Sequence, residues 1–199
     1  MAGNYIDETM CEKMYHALKE SEIVHHVWLK RNPVGPGGAR HIGKLIGENT
    51  NIITLDLHNT GLMDEGCATF VEGWLETKTD NIGLRHLYLD ANGISVVGAR
   101  ALVPLITAAK DTLESLFISL NPLKDEGAVV IIEALRGSRS LKRISFSSGM
   151  LTVKSLEKIC SVIGSGELPS LISCDMGFYK STYDMGIAPN LFVDTKATK

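Results

Sequence analysis

The chain has 199 residues, 44% of them hydrophobic, and a formal net charge of −3. That balance offers no global attraction for nucleic acid or for an acidic membrane surface, and no apolar run approaches the length of a membrane span. The segment from Met1 to Glu8 lacks the basic and apolar pattern of a signal peptide.

In chain order, a helix is predicted first, with Met10, Cys11, Met14, Ala17 and Leu18 on one stripe and the acidic Asp7 and Glu8 at its positive end. A short strand follows, in which Val24, Val27 and Leu29 share the spacing apolar-x-x-apolar-x-apolar, closed by Asn32 and Val34. The period then turns helical through Ile42, Leu45 and Ile46. A second strand carries Ile52, Leu55, Leu57, Thr60 and Leu62, and its helix includes Trp74 at a core position. The polar run Thr77 to Asn81 reads as a surface loop. The third strand holds Leu84, Leu87, Leu89, Asn92 and Ile94. Its helix, Gly98 to about Ala109, contains Pro104, which removes a backbone donor and is expected to bend or unwind it. Leu113, Leu116, Ile118, Asn121 and Leu123 repeat the phrase, followed by helical Ile131 and Leu135. Leu141, Ile144, Phe146, Gly149 and Leu151 repeat it again, and a degraded copy starts at Leu171 with Cys174, Met176 and Tyr179.

These copies begin at residues 24, 52, 84, 113, 141 and 171, so they are spaced by 28, 32, 29, 28 and 30 residues. A period of that length marks a solenoid. Six positions after each Asn or Thr stands Gly38, Gly66, Gly98 or Gly127, followed by the small Ala39, Cys67, Ala99 or Ala128. We place the helix start at this pair, where a bulky side chain would hold neighbouring helices apart. The Asn closes the strand by bonding backbone groups of the turn, and stacked Asn side chains form a ladder in which Thr60 and Gly149 are expected weak points. The N-terminus is half a repeat: Asn4, Ile6, Met10 and Cys11 hold the offsets of Asn121, Leu123, Gly127 and Ala128.

The phrase Asn92-Gly-Ile-Ser-Val-Val-Gly98-Ala99, with its counterpart from Asn121 to Ala128, resembles the ribonuclease-inhibitor type of leucine-rich repeat. Similar repeats occur in NOD-like receptors, the Ran GTPase-activating protein and tropomodulin. The resemblance implies an α/β fold: a right-handed horseshoe segment with parallel strands on the concave face and helices on the convex face. The expected organisation is a solenoid over residues 1–179. It comprises a half repeat over 1–22, about five full repeats from 23, and a degenerate sixth strand over 171–177. In the tail, residues 180–199, Met185, Ile187, Leu191, Phe192 and Val193 are expected to pack over the last strand and 195–199 to be disordered. The first helix is expected either to cap a short array or to belong to a longer one, and the start at Met1 favours the former.

Catalytic chemistry is not indicated. Gly35-Pro-Gly-Gly38 lacks the Lys-Ser/Thr ending of a phosphate loop. His26, His58 and His86 point to one face, yet the strand geometry sets the Cα atoms of His58 and His86 about 13–14 Å apart, too far for one metal ion. No sequence spacing sets a base beside one of the many serines. We expect no cofactor, metal or small-molecule substrate. Cys11 and Cys67 serve as small core residues, no clustered cysteine caps occur, and no glycosylation acceptor is present, so the chain is read as cytoplasmic.

Strand register maps the outward face. The middle column reads Trp28, Asp56, Tyr88, Phe117, Ser145, Asp175, and the preceding one His26, Thr54, His86, Ser115, Arg143, Ser173. The following column reads Lys30, His58, Asp90, Ser119, Ser147, Gly177, with Arg31, Asn59, Leu120 and Phe178 one place beyond. Aromatic rings in an exposed column suit a binding hot spot. His26, Trp28, Lys30, Arg31, Asp56, His58, His86, Tyr88, Asp90 and Phe117 are therefore the candidate contacts for a protein partner. The resemblance also implies two alternatives, regulation of a small GTPase and actin capping.

Overall fold

A computed structural model describes residues 3–79 and 82–177. Helices and strands alternate: α1 Glu8–Leu18, β1 His26–Trp28, α2 Gly35–Glu48, β2 Thr54–Asp56, α3 Met63–Thr77, β3 His86–Tyr88, α4 Val96–Ala109, β4 Ser115–Phe117, α5 Lys124–Ala134, β5 Arg143–Ser145, α6 Val153–Gly164 and β6 Ser173–Asp175. The strands form one parallel sheet in sequence order. Its register aligns His26, Thr54, His86, Ser115, Arg143 and Ser173 across all six. The chain is an α/β leucine-rich-repeat solenoid. Strands sit about 4.8 Å apart and packed helices about 8–10 Å apart, so the array bends toward the strand side.

Between the layers lies the core predicted from the repeat. Leu29, Leu57, Leu89, Ile118 and Phe146 are fully buried, as are Ala39, Cys67, Ala99 and Ala128. Trp74 is buried in this core, with the Lys78 ammonium over its ring.

The Asn ladder forms. The Asn92 amide donates to the carbonyls of Leu57 (2.7 Å) and Leu89 (3.0 Å), while its oxygen accepts the amides of Thr60 (2.9 Å) and Leu62 (3.3 Å). Asn121 serves Asn92 and Ile94 in the same way. Asn32 serves Asn4 and Ile6, so Asn4 occupies a ladder position. Two expected weak points are better filled than the sequence suggests. The Thr60 hydroxyl donates to Leu57, at 2.8 Å. At Gly149 the backbone closes the turn itself, its amide reaching the Phe146 carbonyl at 3.1 Å.

Three expectations change. Helices α2, α3 and α5 begin three residues before Gly38, Gly66 and Gly127, at Gly35, Met63 and Lys124, so each Gly lies in a first turn. There its amide reaches back to the preceding apolar residue, as from Gly66 to the Leu62 carbonyl at 2.7 Å. Second, α4 runs through Pro104 without unwinding. The proline lies on the exposed side, so the carbonyl it leaves unpaired faces solvent. Third, the residue before each ladder position takes a left-handed conformation that the sequence did not announce. Arg31, Asn59, Ala91, Leu120 and Ser148 have φ between 51° and 59°. Each is held by an amide bond to the next repeat, as from Arg31 to the His58 carbonyl at 2.9 Å.

The helices are tied unevenly. A Cβ on Gly43 would fall 2.0 Å from the Phe70 carbonyl oxygen, and one on Gly73 would fall 2.0 Å from that of Arg40. Only glycine allows α2 and α3 to approach so closely. Thr69 and Thr77 donate across this contact to the carbonyls of Pro36 and Lys44, and Arg40 and Lys44 pair with Glu76. The expected loop after Thr77 is described only in part, because Asp80 and Asn81 lie outside the described residues. So do Phe178, Tyr179 and the tail expected over 180–199.

Candidate functional site

Trp28, Tyr88 and Phe117 sit in register at the ends of β1, β3 and β4. Tyr88 and Phe117 occupy adjacent strands, and their rings stack at 4.8 Å with 2° between planes. Trp28 is two strands from Tyr88, yet the ring centroids are 6.2 Å apart, 28° from parallel. The two rings therefore lean toward each other over the intervening β2, where the column holds Asp56. The Lys30 ammonium lies 5.8 Å from the Trp28 ring centroid and ends the stack with a cation. Trp28 remains 44% exposed.

The other candidates fall into two kinds. Asp56, read from the sequence as an outward contact, is only 4% exposed and accepts the His58 amide at 2.9 Å. It supports the turn beneath the rings. Asp90 accepts the Ser119 amide at 2.7 Å. Burial pushes its carboxyl above the usual range, opposed by that bond and by His58 nearby. His26, Lys30, Arg31 and His58 stay accessible at one end of the sheet. His26 is hydrogen-bonded through Nδ1 to the Thr54 hydroxyl at 2.9 Å. His86 bonds the Ser115 hydroxyl at 3.2 Å, and burial holds its pKa below the ordinary histidine value.

The structure adds residues that sequence reasoning passed over. Arg143 joins the histidine row, donating from Nε to Ser115 at 3.1 Å. Its column was legible, but its neighbours were small serines and drew no attention. Tyr5, 91% exposed, lines an open cavity of about 510 Å³ with Arg31, Asn59 and Gly61, at the end of β1 and β2. A lone Tyr ahead of the first helix gave no signal. Among the described residues, no group of three His, Cys, Asp or Glu side chains is arranged to hold a metal, and no helix is long and apolar enough to cross a membrane. The face presents rings, cations and amides side by side.

A family model described as Leucine Rich repeat matches residues 110–131, which run from the residue after α4 through β4 and into α5. The chain is 23% identical over 151 residues to the ribonuclease inhibitor of Sus scrofa, covering 75% of this chain and 32% of that protein. It is also 23% identical over 169 residues to NACHT, LRR and PYD domains-containing protein 12 of Mus musculus, covering 82% of this chain and 15% of that one. It thus spans a third or less of the length of these relatives. With the Asn ladder, the six parallel strands and these similarities together, the chain is similar to leucine-rich-repeat proteins of the ribonuclease-inhibitor type.

Proposed function

We propose that this protein binds a protein partner through the strand face and does no chemistry on it. The observation that carries this reading is the ring stack. Trp28, Tyr88 and Phe117 hold accessible aromatic surface in one fixed arrangement, and rigid rings lose little entropy on docking. Leucine-rich-repeat proteins generally act in protein–protein interaction, and the ribonuclease inhibitor is named for such a role. We place the protein in the cytoplasm, because its thiols are used as core. Cys11 and Cys67 are fully buried, and burial, joined by neighbouring carboxylates, pushes each to about 12.

The test is capture of partners by the full chain and by Trp28→Ala/Tyr88→Ala/Phe117→Ala. The variant is expected to keep its thermal transition and lose the captured proteins, with affinity for any identified partner down about a hundredfold. Unchanged capture by a folded variant would remove the strand face as the binding surface. Nothing on this face favours GTPase regulation or actin capping over simple binding.

A further inference from the structure

We infer that the partner segment seated on the strand face is acidic and sets an apolar side chain against the ring stack. This rests on the proposed binding through that face and adds the partner's chemistry. Charge on the face is sorted by sign. Its carboxylates serve internal donors: Asp56 the His58 amide, Asp90 the Ser119 amide and Asp175 the Gly177 amide at 3.0 Å. Glu114 lies between Lys142 at 2.8 Å and Arg85 at 3.6 Å.

The cations Lys30, Arg31 and Arg143 have no carboxylate at ion-pair distance among the described residues. On the helix side Arg40, Arg100, Arg136 and Lys158 are each paired with a glutamate. A chain of net charge −3 thus turns positive groups outward on one face. Lys30 lies against the Trp28 end of the stack and Arg143 stands on β5, the strand after Phe117, in the histidine column, while the cavity lined by Arg31 adds Tyr5 and Asn59 as donors suited to a carboxylate. A basic partner would meet these cations and find the carboxylates already bonded.

Single-stranded nucleic acid also combines negative charge with stacking, but it needs free ring faces. Here Tyr88 and Phe117 spend one face each on the other, and the second face of Tyr88 turns toward Trp28. The ring edges along the stack suit an aliphatic or proline side chain.

A random peptide library displayed on phage is selected on the full chain, and peptides that also bind Trp28→Ala/Phe117→Ala are discarded. The retained peptides are expected to carry net negative charge around an apolar residue. A synthetic one should weaken about tenfold or more between roughly 50 and 300 mM salt, and as much again with Lys30→Glu/Arg143→Glu. Its binding should perturb the fluorescence of Trp28, since the other tryptophan, Trp74, is buried. Retained peptides that are neutral or basic overturn the acidic partner and leave binding through the face intact. Failure to retain any peptide overturns the face itself. Displacement of the peptide by a single-stranded oligonucleotide of matched charge, but not by an acidic polypeptide, replaces the protein segment with nucleic acid.

Discussion

Asn92 joins two repeats from one side chain, which is why the repeat spends a polar residue in its core. Its amide caps carbonyls of β2 and β3 while its oxygen takes two amides of the preceding turn. Removing it leaves several buried backbone groups unpaired, each worth about 1–3 kcal/mol. Asn92→Ala is therefore expected to destabilise the fold by about 3 kcal/mol or more in urea unfolding. Thr60→Ala, which removes one of two donors on the Leu57 carbonyl and leaves the Asn92 amide in place, should lose roughly 1 kcal/mol or less. The ladder was legible because its residues recur at one offset. The left-handed residue before each of them was not. Arg31, Asn59, Ala91, Leu120 and Ser148 share no side-chain type, and their conformation is imposed by the neighbouring repeat. The burial of Asp56 was hidden for a similar reason: it depends on rings two strands apart leaning together.

Among the elements, helix starts are served from the repeat before. Asp64 accepts the Ser95 amide at 2.8 Å and the Gly98 amide at 2.9 Å, and Asp125 accepts the Thr152 amide at 2.6 Å and the Ser155 hydroxyl at 2.6 Å. Burial raises each carboxyl, but these bonds together outweigh it and leave both below the usual aspartate range. A folded pKa below the unfolded one gives stability that is complete above the unfolded value and lost as pH falls through the folded value. Asp64→Asn/Asp125→Asn should therefore lower stability near neutrality, by about 1–2 kcal/mol at each cap, and flatten the loss of stability below about pH 4. Urea midpoints measured from pH 7 to pH 2 check both. The close contact of α2 and α3 makes a second prediction. Gly43→Ala would drive a methyl into the Phe70 carbonyl and should cost about 3 kcal/mol, or roughly 6–12 °C in Tm. Gly164→Ala meets nothing within 4 Å and should be neutral or slightly stabilising. The sequence showed both glycines, but not that a helix would press on Gly43 and leave Gly164 open.

For the whole molecule, a periodic core made the architecture of the described repeats readable, because each repeat buries the same columns against its neighbours. The binding face was readable only as a list of outward positions. Register gives which residues share a column. It does not say which carboxylates turn inward to close their own turns, and that sorting leaves Lys30, Arg31 and Arg143 with no carboxylate at ion-pair distance among the described residues.

The left-handed residues also set a direction in time. The amides of Arg31, Asn59, Ala91, Leu120 and Ser148 all bond forward, to a carbonyl of the following repeat. A repeat emerging from the ribosome therefore has no partner for its strained turn until its successor has been synthesised, 28 to 32 residues later. The array closes like a zip with a lag of one tooth, each turn settling when the next arrives.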